Sequence, residues 1–174
     1  MNVLELPKNF DYNEWMIIIS LIATYTFAFR LPKRFPQTIT ILIVLFSFSL
    51  EKSTDLILEY PPYTLYYLND STLFELSDFF TCFLYPVFGY ILLHYYDKWN
   101  IRGISNFFFI LAGSIFGTLF EWITVLAHVF EYTGWKLEYS FTVYLLVISL
   151  YIVFFNFVKK FFIRANLKNI NDLP

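Results

Sequence analysis

Glu51, Asp55, Asp78, Glu121, His128 and Tyr144 are side chains of this 174-residue chain whose types could hold or move charge, and each lies in or beside a long apolar stretch. An ionisable group near the middle of a membrane span costs about 2.5–3.5 kcal/mol on insertion scales, so such groups turn inward and pair. Gathered carboxylates with a phenol beside them can take a proton, a cation or the donor groups of a small polar molecule. Carboxylate and imidazole donors could also ligate a metal. No recognised ligand spacing such as H-E-x-x-H occurs, however, and neither a metal nor a cofactor is expected. The chain has no P-loop, dinucleotide-binding glycine motif or nucleophile elbow, so no catalytic residue is assigned.

Helical spacing brings these groups onto common faces. At about 100° per residue, Glu51 and Asp55 lie about 40° apart, with Thr40, Ser47 and Thr54 within about 60° of Glu51. Gly113, Gly117, Glu121, Thr124 and His128 share a sector about 80° wide. The two glycines of Gly113-x-x-x-Gly117 let a second helix approach closely, which directs Glu121 into a packed seam. Tyr144 and Ser140 form a polar stripe on another stretch, and Asp78 opens a third. Lys52 either offsets the carboxylates beside it or extends towards the interface. His94, next to Tyr95, Tyr96 and Asp97, reads as an interfacial residue, and Cys82 as a small buried packing residue. Pro86 and Gly89 are expected to bend their helix.

The elements that must position these groups follow from composition. With 58% hydrophobic, 24% aromatic and 15% charged residues, the chain is far more apolar than a soluble domain, where about 45–50% apolar and about 25% charged residues are usual. Five apolar stretches predict an all-α polytopic membrane protein, one membrane domain over residues 1–174 with spans near 14–31, 36–58, 79–97, 104–128 and 139–160. The second span is the weakest, because its uncharged run ends at Glu51. No secretory signal is expected, since Glu5, Asp11 and Glu14 precede the first apolar run and no small-residue cleavage site follows it.

Lysine and arginine test the number of spans independently, because they accumulate in cytoplasmic loops. Arg30, Lys33, Arg34, Lys98, Arg102, Lys159, Lys160, Arg164 and Lys168 fall on one side of a five-span arrangement, and Lys8 and Lys136 on the other. The expected topology is therefore a bundle with its N-terminus outside and its C-terminus cytoplasmic. Removing the second span would place the Arg30 and Arg102 loops on opposite faces, against the rule. The connection 59–78 is extracytoplasmic, acidic and aromatic, with Tyr60, Tyr63, Tyr66 and Tyr67 suited to the membrane interface. In this arrangement Glu51 lies about 22 Å along its helix from the cytoplasmic entry, and Glu121 is in the same outer half.

Taken alone, the residues indicate a non-enzymatic structural or interaction protein whose polar cluster staples helices in the outer half of the bundle. The alternatives are a protein that binds or transports a small polar molecule, an ion or a proton through that cluster, and an intramembrane enzyme. Expected partners are the lipid bilayer, a membrane protein or second copy of this chain, and a small polar ligand or cation. Nucleic acid is not among them, because the basic segment KKFFIRANLKN is short and suits anionic lipid headgroups.

The runs LPKRFPQT, LSDFFTCFLYPVFGYILLHYYDKWNIRG, FEWITV and GWKLEYSFTVYLLV resemble a family of small multi-pass membrane proteins from endospore-forming Gram-positive bacteria. The resemblance covers about residues 14–158. It rests on the Tyr96–Trp99 turn, the Glu121-Trp122 pair and the run from Gly134. It implies a bacterial plasma-membrane location and carries over no functional residues.

Overall fold

A computed structural model describes residues 10–59, 62–68 and 76–171, with 164–171 by backbone alone. Glu5, Lys8, Tyr60, Asp70 and Glu75 lie outside the described residues, as do the side chains of Arg164 and Lys168. Helix α1 (Tyr12–Arg30) opens where Glu14 Oε2 accepts the Asp11 backbone N–H at 2.9 Å. It ends at Leu31, which the following proline drives into extended backbone. Helix α2 (Gln37–Leu58) begins just after Pro36 and runs unbroken through Glu51, Lys52 and Asp55. Its buried residues, Ile39, Ile43, Ser47, Glu51 and Asp55, recur every fourth position and form one inward stripe.

Helices α3 (Leu76–Cys82) and α4 (Leu84–Lys98) form one column interrupted at Phe83. Pro86 has no N–H to give the Cys82 carbonyl, which accounts for the interruption one turn upstream of the proline. Helix α5 (Ser105–Leu126) and helix α6 (Leu137–Asn171) complete the bundle. Three stretches, Leu76–Lys98, Ser105–Leu126 and Leu137–Ile163, are long and apolar enough to cross a membrane. The fold is helical as expected, with one addition: strands β1 (Tyr66–Leu68) and β2 (Phe130–Tyr132) pair antiparallel. Their register sets Tyr66 against Tyr132, Tyr67 against Glu131 and Leu68 against Phe130. This two-stranded cap ties the α2–α3 connection to the α5–α6 connection.

At the opposite end, Asp97 holds three elements together. Arg34 Nε meets its Oδ2 at 2.5 Å and Arg34 Nη2 donates to its backbone carbonyl at 3.0 Å, while Lys159 from α6 pairs with Oδ1. We call this the basic end. The solid core lies towards it, with Ile39 and Ile43 of α2, Leu93 and Tyr96 of α4, and Ile148, Tyr151, Ile152 and Phe155 of α6.

Glycines set the spacing of the helices. A Cβ at Gly89 would stand 2.7 Å from the Tyr151 ring and 2.8 Å from Ser47 Oγ. One at Gly117 would meet the Tyr144 ring at 3.0 Å, and one at Gly113 would meet Ile148 at 2.9 Å. The seam expected from Gly113-x-x-x-Gly117 is thus the α5–α6 contact. The outward faces are apolar: Leu146, Leu150, Val153, Phe157 and Phe161 are exposed along α6, and Phe108, Phe116, Leu119, Ile123 and Leu126 along α5. Contiguous apolar faces of this extent mark contact with lipid or protein.

Candidate functional site: a cavity beneath the strand cap

From the cap down between the helices runs a partly open cavity of about 640 Å³, walled by residues from α1 to α6 and from both strands. Glu51 and Asp55 of α2, Glu121 of α5 and Tyr144 of α6 all line it. Acids on separate helices therefore face one space, as their helical spacing predicts.

Two polar sets meet there. In the first, Lys52 Nζ lies 2.9 Å from Glu51 Oε1 and 3.4 Å from Asp55 Oδ2, and the Tyr66 hydroxyl donates to Asp55 Oδ1 at 2.9 Å. In the second, the Ser140 hydroxyl donates to Glu121 Oε1 at 2.5 Å and itself accepts the Trp135 Nε1–H at 2.7 Å. The Tyr132 hydroxyl also donates to Glu121 Oε1. Tyr66 and Tyr132 are direct cross-strand partners, so their side chains leave the same face of the cap. The cap thus places one phenol over a carboxylate of α2 and the other over a carboxylate of α5. Burial raises the pKa of both phenols, and the carboxylate beside each raises it further, so both remain hydrogen-bond donors at physiological pH.

Glu51 differs from Glu121 in one respect. Its side chain is 2% exposed, Oε1 faces Lys52, and Oε2 is buried without a hydrogen-bond partner. Glu59, one turn beyond Asp55, is raised to about 7, chiefly by burial and then by the charges of Asp55 and Asp78. This end of α2 therefore holds more carboxylates than Lys52 can balance.

Two of the proposed site residues are placed elsewhere. Asp78 is buried in the first turn of α3, on the Glu59 side and outside the cavity wall. His128 is a correction. Helix α5 ends at Leu126, and His128 takes φ 57 in a Schellman turn, with its N–H on the Val125 carbonyl and the Val129 N–H on the Thr124 carbonyl. The helical angle that grouped it with Glu121 no longer holds there. Its side chain, 72% exposed, meets Glu131 Oε1 at 2.5 Å. His94 is a second correction, being wholly buried against Phe35, Tyr90 and Tyr95 instead of interfacial. Cys82 is buried as expected, its thiol donating to the Asp78 carbonyl at 3.1 Å.

Tyr66, Tyr132 and Trp135 were not among the residues predicted for the site. The available signal was the short aromatic runs YYL and FEY, whose residue types favour extended backbone. No group of three or more His, Cys, Asp or Glu side chains able to hold a metal occurs among the described residues. Comparison with protein families, with curated proteins and with solved structures returns no match.

Proposed function

We propose that the chain is a five-span integral protein of a bacterial plasma membrane, with its N-terminus outside and its C-terminus cytoplasmic, that binds a small ligand in the cavity beneath its cap. Helices α1 and α2, of 19 and 22 residues, are long enough to serve as the two further spans, and their polar turns at Glu14, Glu51 and Asp55 point inward. The basic end, with Arg34, Lys98, Arg102 and Lys159, corresponds to the cytoplasmic face. The resemblance to membrane proteins of endospore-forming bacteria agrees with this location.

The observation that carries the reading is the cavity itself. Its volume of about 640 Å³ lies within the about 300–1,000 Å³ of small-molecule sites, and its largely apolar wall holds a few converging polar groups. A staple between helices needs contact and leaves no room. A second reading, a purely structural polar cluster, draws on the bonds from Tyr66 to Asp55 and from Tyr132 to Glu121, which fasten the cap to the helices.

The two readings separate in a binding experiment with the purified protein in detergent, using dodecanol as a neutral probe. We expect native mass spectrometry to show one retained dodecanol on the wild type and none on Ala112→Trp, which fills the cavity wall from α5. Retention by neither protein, or equally by both, contradicts the binding reading.

A further inference from the structure

We infer that the cavity takes a single-chain cationic amphiphile, with its ammonium head between Glu51 and Glu121 and its apolar tail directed along α4 and α5 towards Trp99. This rests on the binding reading above and names the ligand class for the same site. The first support is shape. The wall extends along α4 from Leu84 to Trp99 and along α5 from Phe109 to Thr124, each about 22 Å at the helical rise. It is a channel for something long.

The second support is that the acidic groups of the wall gather at one end. Glu51, Asp55, Glu121, Tyr66, Tyr132 and Ser140 surround the end beneath the cap. Towards Trp99 the wall is mostly apolar, made by Ile91, Leu92, Phe109, Ala112 and the partly outward-facing Phe116, with the Tyr95 hydroxyl and Trp99 indole as uncharged polar groups and no carboxylate. A ligand matching this wall has one polar terminus and one hydrocarbon terminus.

The third is the sign of the charge. Around the polar end three carboxylates, Glu51, Asp55 and Glu121, face one ammonium, that of Lys52. Lys52 reaches Glu51 through Oε1 only, and Oε2 is buried without a hydrogen-bond donor beside the cavity that Glu51 lines. A buried carboxylate oxygen without a donor is costly, and an ammonium N–H supplies the charge-assisted bond it lacks. Tyr85, Phe88, Phe120 and Trp135 add aromatic surface to the wall, which also favours a cation. A carboxylate or phosphate head would meet the oxygens of the same three acids, and a neutral head would form no ion pair with them.

The test compares dodecylamine, dodecanol and dodecanoate as probes on the full-length protein in neutral detergent, read by native mass spectrometry and by tryptophan fluorescence. We expect dodecylamine to bind at least about tenfold more tightly than dodecanol, and dodecanoate most weakly. In Glu51→Gln, which keeps the side-chain volume, the ratio of amine to alcohol affinity should fall to near parity. Ethylamine, which has the head without the tail, should bind weakly to both proteins. The inference is overturned if the wild type binds the alcohol or the carboxylate as tightly as the amine, or if Glu51→Gln binds the amine unchanged. Dodecanol binding without a preference for the amine would overturn the ligand class and leave the binding reading standing. Binding of no probe would overturn both.

Discussion

At the scale of single residues, the site depends on where a helix stops. Glu121 is still inside α5 and obeys its angular spacing, whereas His128 lies beyond the last turn and is exposed. A non-glycine residue at φ 57 carries a backbone penalty of about 1–2 kcal/mol, and the exposed pair with Glu131 offsets little of it. His128→Gly should therefore raise the thermal midpoint in detergent, by up to about 1 kcal/mol of stability. A lowered midpoint would show that the pair outweighs the backbone strain.

Glu59 gives a pH prediction with a definite sign. Its carboxyl titrates at about 7 in the fold against an ordinary value of 4.5, so between those values the folded chain holds a proton that the unfolded chain has released. This contribution makes stability fall as pH rises from about 4.5 to 7, and it is constant above that. Glu59→Gln should flatten that part of the profile, with the largest gain in stability near pH 8. An unchanged profile in thermal unfolding would contradict it.

At the scale of elements, the helices were legible and the cap was not. Long apolar runs bounded by Pro36, Asn100 and Gly103 set the helices to within about three residues, apart from the extension of α6 to Asn171. The inward stripe of α2 was legible because a four-residue repeat of Ser47, Glu51 and Asp55 leaves no other orientation compatible with lipid. The strands have three residues each and are stable only as a pair whose partners lie 62 to 66 positions apart in the chain (Leu68 with Phe130, Tyr66 with Tyr132), a pairing that no local pattern encodes. Tyr66 accordingly read as one more interfacial tyrosine.

The glycine contacts also belong to this scale. Gly89→Ala forces a methyl group against Tyr151 and Ser47, and should cost about 1–3 kcal/mol through overpacking. Gly103→Ala meets no neighbour and should cost only about 1 kcal/mol for its left-handed backbone. Comparing the two midpoints checks this, and an equal or larger loss at Gly103 would mean that the α2–α4–α6 contact tolerates expansion.

For the molecule as a whole, the two ends have different jobs. The basic end is tied by the core and by the pairs from Asp97 to Arg34 and Lys159, while the acids of the cavity gather at the capped end. Asp97→Asn should loosen the basic end, lowering stability by about 1–2 kcal/mol, since its partners are partly exposed. It should leave dodecanol binding unchanged. In intact cells, single cysteines replacing Arg102 and Lys136 should report opposite sides, with only the second labelled by an impermeant thiol reagent. Labelling of the first from outside would contradict the proposed orientation.

The central claim is that carboxylates from separate helices share one accessible space. A water-soluble thiol reagent applied to single-cysteine variants, in a Cys82→Ala background, tests it most directly. Thr54→Cys, Thr124→Cys and Val143→Cys, which line the cavity, should react, while Ile57→Cys, Leu119→Cys and Leu146→Cys on the outward faces should not. Protection of the first three, or reaction of the second three, would contradict the account.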